Sequence, residues 1–371
     1  MTDFNTAQMS QLLGQSNLTV VYLWADGDYW IRQQEFCAAF RAAPLTHNVV
    51  IHVQFEGLSL AQSQVVSTVE KIINETGRDA NSIYIFSPNS INADCPWPNL
   101  FWRLFSISDE FTRSRKYWCD TAPVLEDNFK TWALFVGRRT TPRLLALYDI
   151  WQDLDLQQKC LLSIMNHPAP ESIQIFDRPE MIYDQLDSWL PVENKIERML
   201  KHHNFRSFCK NLPFGSIDGY SLTDQYVDKK YGDNRCNNPS TSLINLGSKY
   251  LFEIVFETMT LGSTFTPSEK TIRTIVAQKP FVAYAPKNFL SNLRSLGFQT
   301  FGELWDESYD LLEGKHRYQA IMKIIRQISA SSRDNQLNLH TKIQGICVAN
   351  KKLLYHYILT KKKHSNTSLG G

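Results

Sequence analysis

The sequence predicts an α/β protein of two successive sheet-and-helix units, closed by C-terminal helices. Three observations predict it. Short β-branched apolar runs alternate with segments of helical periodicity, the pattern of parallel strands joined by crossover helices. The alternation pauses over residues 121–130 and then starts afresh. The 371 residues also exceed one ordinary core and suit two domains of roughly 150–200 residues. A hydrophobic share of 43% fills both cores, so a fibrous or mainly disordered chain is not expected.

The elements follow in order. Leu18 to Trp24 is a short apolar strand, ended by the turn-forming Ala25-Asp26-Gly27-Asp28. Asn48 to Phe55 is a second strand and Ser82 to Phe86 a third, with a helix from Gln62 to Thr76 between them, stopped at Gly77. This part forms one Rossmann-like domain over residues 1–125. The segment Thr121 to Lys130 reads as the linker. A second domain, residues 126–330, opens with the strand Trp132 to Val136, followed by Gly137-Arg138-Arg139. A helix from Pro142 to Gln152 and a strand from Cys160 to Met165 come next. Residues 205–246, rich in Asn, Asp, Gly and Ser, are expected to be irregular. Order returns with strands at Tyr250 to Phe256 and Pro280 to Ala285, around a helix from Ser268 to Ala277. Helices follow from Asn288 to Leu296, Lys315 to Ser329 and Leu337 to Thr360. Residues 331–371 are expected to be a C-terminal helix with a disordered basic tail from Ser365.

Composition excludes several classes. No apolar run approaches the roughly 18–20 residues of a membrane span, so no integral membrane segment is expected. The first residues lack the basic start and apolar stretch of a signal peptide, which points to the cytoplasm. The seven cysteines are scattered, without a C-x-x-C pair, so they read as reduced, mostly buried apolar residues. A formal net charge of +2 leaves nucleic-acid binding to local patches. Two blocks qualify: Arg103 to Trp118, and the end of the last helix with Lys351-Lys352, Tyr355, Tyr357 and Lys361-Lys362-Lys363. Basic residues interleaved with aromatics suit nucleic acid or weak contact with an anionic surface, but such charge runs are more often a solvated helix face with a basic tail. His202-His203 has no third ligand nearby and reads as non-metal.

The densest information lies in residues 252–310. Thr266-Pro267-Ser268-Glu269-Lys270 sits where a loop enters a helix, and free N–H groups there attract phosphate. Lys270 adds a full charge, and Glu269 suits ribose hydroxyls. Glu257, at the end of the preceding strand, brings another carboxylate to the same sheet edge. Taken alone, the same residues describe a capped helix with a solvated lysine.

The segment as a whole resembles the C-terminal domain of fucosyltransferase-like and exostosin-like glycosyltransferases. The resemblance rests on Phe256-Glu257-Thr258, Ser268-Glu269-Lys270, the helix Thr271 to Ala277, and Lys279-Pro280-Phe281-Val282. Leu293 to Asp310 is similar to phage- and bacteria-type members, and Leu134 to Leu145 is a weaker echo of the start of the same domain. Thr258 replaces the family's usual Asn and the loop before Glu269 is slightly longer, so the identity of the sugar does not carry over.

The resemblance implies a GT-B enzyme: two Rossmann-like domains facing a cleft, with a nucleotide-diphosphate sugar as donor substrate and no cofactor or metal. It implies that Lys270 neutralises the donor diphosphate, that Glu269 holds the ribose, and that Glu257 faces the donor sugar. Arg138, with Arg139 or Arg143 as alternates, reaches the diphosphate from the other side. Fixed cations of this kind stabilise the charge growing on a departing nucleoside diphosphate. The D-x-D matches Asp26-Gly27-Asp28 and Asp153-Leu154-Asp155 read instead as a turn and a helix–loop junction. Inverting transfer also needs a general base, for which Asp28, Asp26 and Glu56 are the candidates. The acceptor is a glycan, or a hydroxylated DNA base for a phage-encoded protein acting in the host cytoplasm. A non-catalytic nucleotide- or glycan-binding protein of the same fold is the alternative.

Overall fold

The computed structural model describes residues 17–26, 29–53, 60–61, 64–87, 95–101, 123–136, 141–164, 179–210, 243–244, 246–257, 260 and 262–367. The chain is α/β and forms two compact units. The first comprises Met1–Ser106 with Thr258–Ser268, and the second Ile107–Glu257 with Glu269–Gly371.

In the first unit, strand β1 (Leu18–Asp26) runs parallel to β3 (Asn48–Val53), β3 to β4 (Ile83–Ser87), and β4 to the short β5 (Asn99–Phe101). The expected turn after Trp24 lies further on. β1 continues to Asp26 and returns antiparallel as β2 (Tyr29–Ile31), with Asp26 opposite Tyr29. Helix α1 (Gln33–Ala42) joins β2 to β3, and α2 (Val65–Thr76) precedes β4. Both helices begin behind a left-handed residue without a side-chain cap, Arg32 (φ 55) and Gln64 (φ 63). That absence of cap chemistry is why neither start is marked in the sequence. Gly77 ends α2 at φ 69, its N–H bonding Ile73 O, the left-handed closure glycine tolerates best. One sheet face packs Val21, Leu23, Val49, Ile51, Ile83 and Ile85 against Phe36, Phe40, Val65, Val69 and Ile72 of the helices.

The second unit holds a wholly parallel four-stranded sheet in the order β7-β6-β8-β9. Its strands are β6 (Lys130–Val136), β7 (Cys160–Ile164), β8 (Tyr250–Phe256) and β9 (Phe281–Tyr284). Helices α3 (Thr141–Gln152) and α4 (Leu154–Gln158) connect β6 to β7. Helices α5 (Tyr183–Trp189) and α6 (Lys195–Lys210) lie between β7 and β8, so the expected irregular stretch is helical up to Lys210, and residues 211–242 fall outside the described ones. Helix α7 (Glu269–Val276) joins β8 to β9, and α8 (Phe289–Ser295), α9 (Gly314–Ser329) and α10 (Arg333–Thr367) follow. Every residue of β8 and β9 is buried, as expected where both faces of a parallel sheet are covered.

The C-terminal helix is not a separate piece. Arg333 donates to the carbonyls of Phe129 and Asp127, Asn350 exchanges hydrogen bonds with the backbone of Gln299, and the Tyr357 hydroxyl reaches Leu296 O at 2.8 Å. These bonds fasten α10 along the second unit. Lys351 of this helix is buried and Tyr357 half-buried, so neither stands fully on an exposed basic–aromatic surface. The block Arg103 to Trp118 lies outside the described residues, and α10 runs past Ser365 to Thr367.

Candidate functional site

The order β7-β6-β8 means the chain leaves β6 in one direction and later returns to its other side. Such a reversal opens a crevice beyond the carboxyl ends of the two diverging strands, here β6 and β8, where open α/β sheets bind ligands. Four of the residues singled out in the sequence gather there.

Glu257 follows β8 directly and is held in register by its N–H to Tyr284 O at 2.9 Å. The side chain is buried, and its Oε1 accepts a hydrogen bond from the Thr271 hydroxyl, two residues past the start of α7. Arg143, on the first turn of α3, is 3% exposed and donates through Nη2 to Phe256 O at 3.1 Å and Glu257 O at 2.9 Å. Helix α3, the end of β8 and the start of α7 are therefore pinned to one another by side chains.

Glu269 opens α7, and Lys270 beside it donates to Glu269 Oε1. The pair is neither deep nor free in water: 26% of the Glu269 side chain and 12% of the Lys270 side chain are exposed. Burial raises the Glu269 carboxyl, but the Lys270 ammonium, with Arg143 behind it, outweighs burial and holds it below the usual range. Glu269 is thus a carboxylate, and Lys270 finds its counter-charge in its own neighbour.

Arg143, expected as an alternate cation reaching a diphosphate, donates through Nη2 to the last carbonyls of β8 and stands near enough to Glu269 to help hold that carboxyl down. Its bond to Glu257 O fixes the backbone that carries Glu257. Ser268 is buried, 1% exposed, and belongs to the Thr258–Ser268 segment of the first unit. Arg138 and Arg139 follow β6 and lie outside the described residues, as do Asp28 and Glu56. Asp26 closes β1, opposite Tyr29 in the hairpin.

Sequence reading missed Thr271, a hydroxyl that no periodicity marks, fourteen positions beyond the carboxylate it bonds. It also passed over Glu253 and Arg273, an ion pair inside the sheet layer with Tyr250 donating to Glu253 Oε2 at 3.1 Å. Alternation would have made Glu253 suspect, since a carboxylate mid-strand in a fully buried run needs a partner. Asp153 accepts from Leu156 N at 3.1 Å and caps α4, and His202 bonds Asp187 at 2.9 Å while stacking on Tyr183.

Among the described residues no group of three His, Cys, Asp or Glu side chains is placed to hold a metal, and no helix is long and apolar enough to cross a membrane. Of the five described cysteines, Cys160, Cys209 and Cys347 are buried. No protein-family model matches the chain, and no curated protein matches it.

Proposed function

We propose that the protein is a glycosyltransferase that moves a sugar from a nucleoside-diphosphate donor to an acceptor hydroxyl. In this reading the chain is of the GT-B type, with the donor on the second unit. The observation that carries this reading is the gathering of Glu257, Glu269 and Lys270 at the reversal between β6 and β8, with an ammonium at a helix start. A diphosphate arriving there exchanges with Glu269 as the partner of Lys270. The released carboxylate then accepts from the ribose hydroxyls. Arg138 and Arg139, which follow β6 in the sequence, are the further cations this reading assigns to the diphosphate. As the glycosidic bond breaks, charge grows on the leaving diphosphate, and these cations stabilise it without reorganising. In an inverting transfer the acceptor proton goes to a carboxylate of the first unit, with Asp26, Asp28 and Glu56 as candidates.

The Lys270–Glu269 pairing also favours a second reading, in which the edge binds a nucleotide or glycan without turnover. A thermal-shift screen against GDP, UDP, CDP and TDP and their sugars tests both. A ligand at about 100 times its Kd stabilises the native state by about 2.7 kcal/mol, a clear rise in Tm. The transferase reading expects one base series to give that rise, together with slow hydrolysis of the matching sugar nucleotide. A rise without hydrolysis or transfer supports the binding reading, and a flat screen across all four bases removes both.

A further inference from the structure

The second unit holds an open pocket of about 400 Å³, at the end of its sheet away from Glu257 and Lys270. Helix α3 starts at the carboxyl end of β8, where Arg143 bonds Glu257 O, and Arg326 of α9 reaches Asp149 and Asp153 toward its other end. Gln327, the next residue of α9, lines the pocket. Phe301, just before the lining residues Glu303 and Leu304, packs on Phe281, the first residue of β9, with ring centroids 5.6 Å apart. The pocket therefore sits by the amino ends of the strands.

Its walls are fixed. Glu307 accepts from Phe301 N and the Thr300 hydroxyl, both at 2.7 Å, and from Arg294 at 3.0 Å, which holds the turn carrying Glu303 and Leu304. The buried Gln336 donates to Ile328 O at 3.3 Å and Ser331 O at 3.4 Å, which sets the elbow between α9 and α10. Asn335, Asn338, Leu339 and Lys342 then fall on one face of α10, at helical spacing. The lining itself is uncommitted. Among the described residues, the side chains of Glu303, Gln327, Asn335, Asn338 and Lys342 have no polar partner. A pocket with rigid walls and open hydrogen-bonding groups is preorganised for a ligand.

The lining as a whole selects that ligand. It contains one carboxylate, Glu303, one ammonium, Lys342, four neutral hydrogen-bonding side chains, and the aliphatic Leu304, Ile328 and Leu339. A single cation is too little for a polyphosphate, and the lining has no aromatic ring on which a base could stack. One charge of each sign, carboxamides and aliphatic surface together match a zwitterion that also carries amide groups. A short peptide is such a molecule. Its ammonium suits Glu303, its carboxylate Lys342, its backbone amides the carboxamides, and an aliphatic side chain the leucines. The face of α10 from Asn335 to Lys342 rises about 10 Å, the span of about three extended residues.

We infer that this pocket binds a zwitterionic peptide of two or three residues with an aliphatic side chain, at a site separate from the proposed sugar transfer and independent of it. Saturation-transfer NMR on the full chain tests it with leucyl-leucine and leucyl-glycyl-leucine. N-acetyl-leucyl-leucine, leucyl-leucine amide and maltose are run beside them. At least one free peptide should bind with a Kd of about 1 mM or tighter, and each blocked form about tenfold more weakly. Glu303→Gln should weaken leucyl-leucine about tenfold and leave the acetylated form unchanged; Lys342→Met should do the same with respect to the amide. Both residues are exposed, so circular dichroism and Tm of the variants should match the parent. Binding of neither free peptide overturns the inference. So does binding that blocking either terminus leaves intact, or that neither substitution weakens. Maltose binding that the two substitutions weaken would assign the pocket to a neutral polyol instead.

Discussion

The two sheets are made of similar strands and differ in their order. In the first, β1, β3, β4 and β5 succeed one another across the sheet, so each right-handed crossover lands on the same side. Helices α1 and α2 share one face, and Tyr22 and Trp24 stay open on the other. In the second, the strand order reverses at β6, and every residue of β8 and β9 is buried. Glu257, Glu269 and Lys270 gather at that reversal, whereas Tyr22 and Trp24 are exposed on a sheet whose parallel strands follow one another in order.

The sharpest way to break this comparison lies in the layers behind the two edges. The described ion pairs of the first unit are exposed, Arg41 with Glu75 among them, whereas the second unit sets Glu253 and Arg273, 1% and 4% exposed, against each other beside Tyr250. Burial raises the Glu253 carboxyl while Arg273 and the Tyr250 hydroxyl pull it back down. Arg273→Met leaves that carboxylate uncompensated and should cost about 3–5 kcal/mol in urea unfolding. The double variant Glu253→Gln with Arg273→Met should recover much of the loss. A single variant within about 0.5 kcal/mol of the parent, the range of an ordinary surface change, would show the pair to be incidental.

Next in size is the division of labour between the two ends of the second sheet. Lys270→Ala should lower sugar transfer about a hundredfold, the usual loss on removing one electrostatic stabiliser of a developing anion. Peptide binding at the pocket of Glu303 and Lys342 should not change. Initial rates at saturating acceptor, beside the peptide titration, measure the two separately. Equal loss in both would mean that Lys270 holds the fold instead of the donor.

These contrasts were unequally legible in the sequence. β8 is found at its expected bounds, because a long apolar β-branched run flanked by turn residues has one reading. Most other strands and helices shift by one to three residues, as expected where ends fray. Helix α1 was invisible: Arg32 supplies no cap, and the apolar residues Phe36, Cys37 and Phe40 cover barely one turn. The β2 hairpin hid behind a turn signature that reads alike for a loop and for a strand reversal. At the site, Glu257, Glu269 and Lys270 were legible because they flank the ends of strong elements. The bonds from Arg143 to Phe256 O and Glu257 O were not, since a sequence does not say whether an arginine finds solvent or a strand's last carbonyls.

The smallest effect compares two buried cations, one in each unit, neither with a carboxylate among its described partners. Arg78 in the first unit donates to the carbonyls of His47, Ala43 and Pro44. Lys279 in the second, 1% exposed, donates to Tyr250 O at 2.7 Å and faces Cys347 and His340 of α10. Neither neighbour supplies a charge near neutrality: burial pushes the Cys347 thiol up to about 12, and burial with Lys279 beside it brings His340 down to about 4. Burial likewise lowers Lys279 from 10.5 to about 7. Between those two values the unfolded chain binds a proton that the folded chain does not, so stability from this group rises with pH across that window. It is lowest at and below about pH 7, where burying the ammonium is least compensated. Arginine stays protonated throughout, so Arg78 adds no such slope. Lys279→Met should therefore stabilise the protein by about 1–3 kcal/mol at pH 7. That advantage should shrink by pH 9, because the parent recovers there what the variant never lost. Urea unfolding at both values measures it. An advantage of the same size at pH 7 and pH 9 would show that Lys279 keeps an ordinary amine in its pocket, and that the two buried cations are equivalent after all.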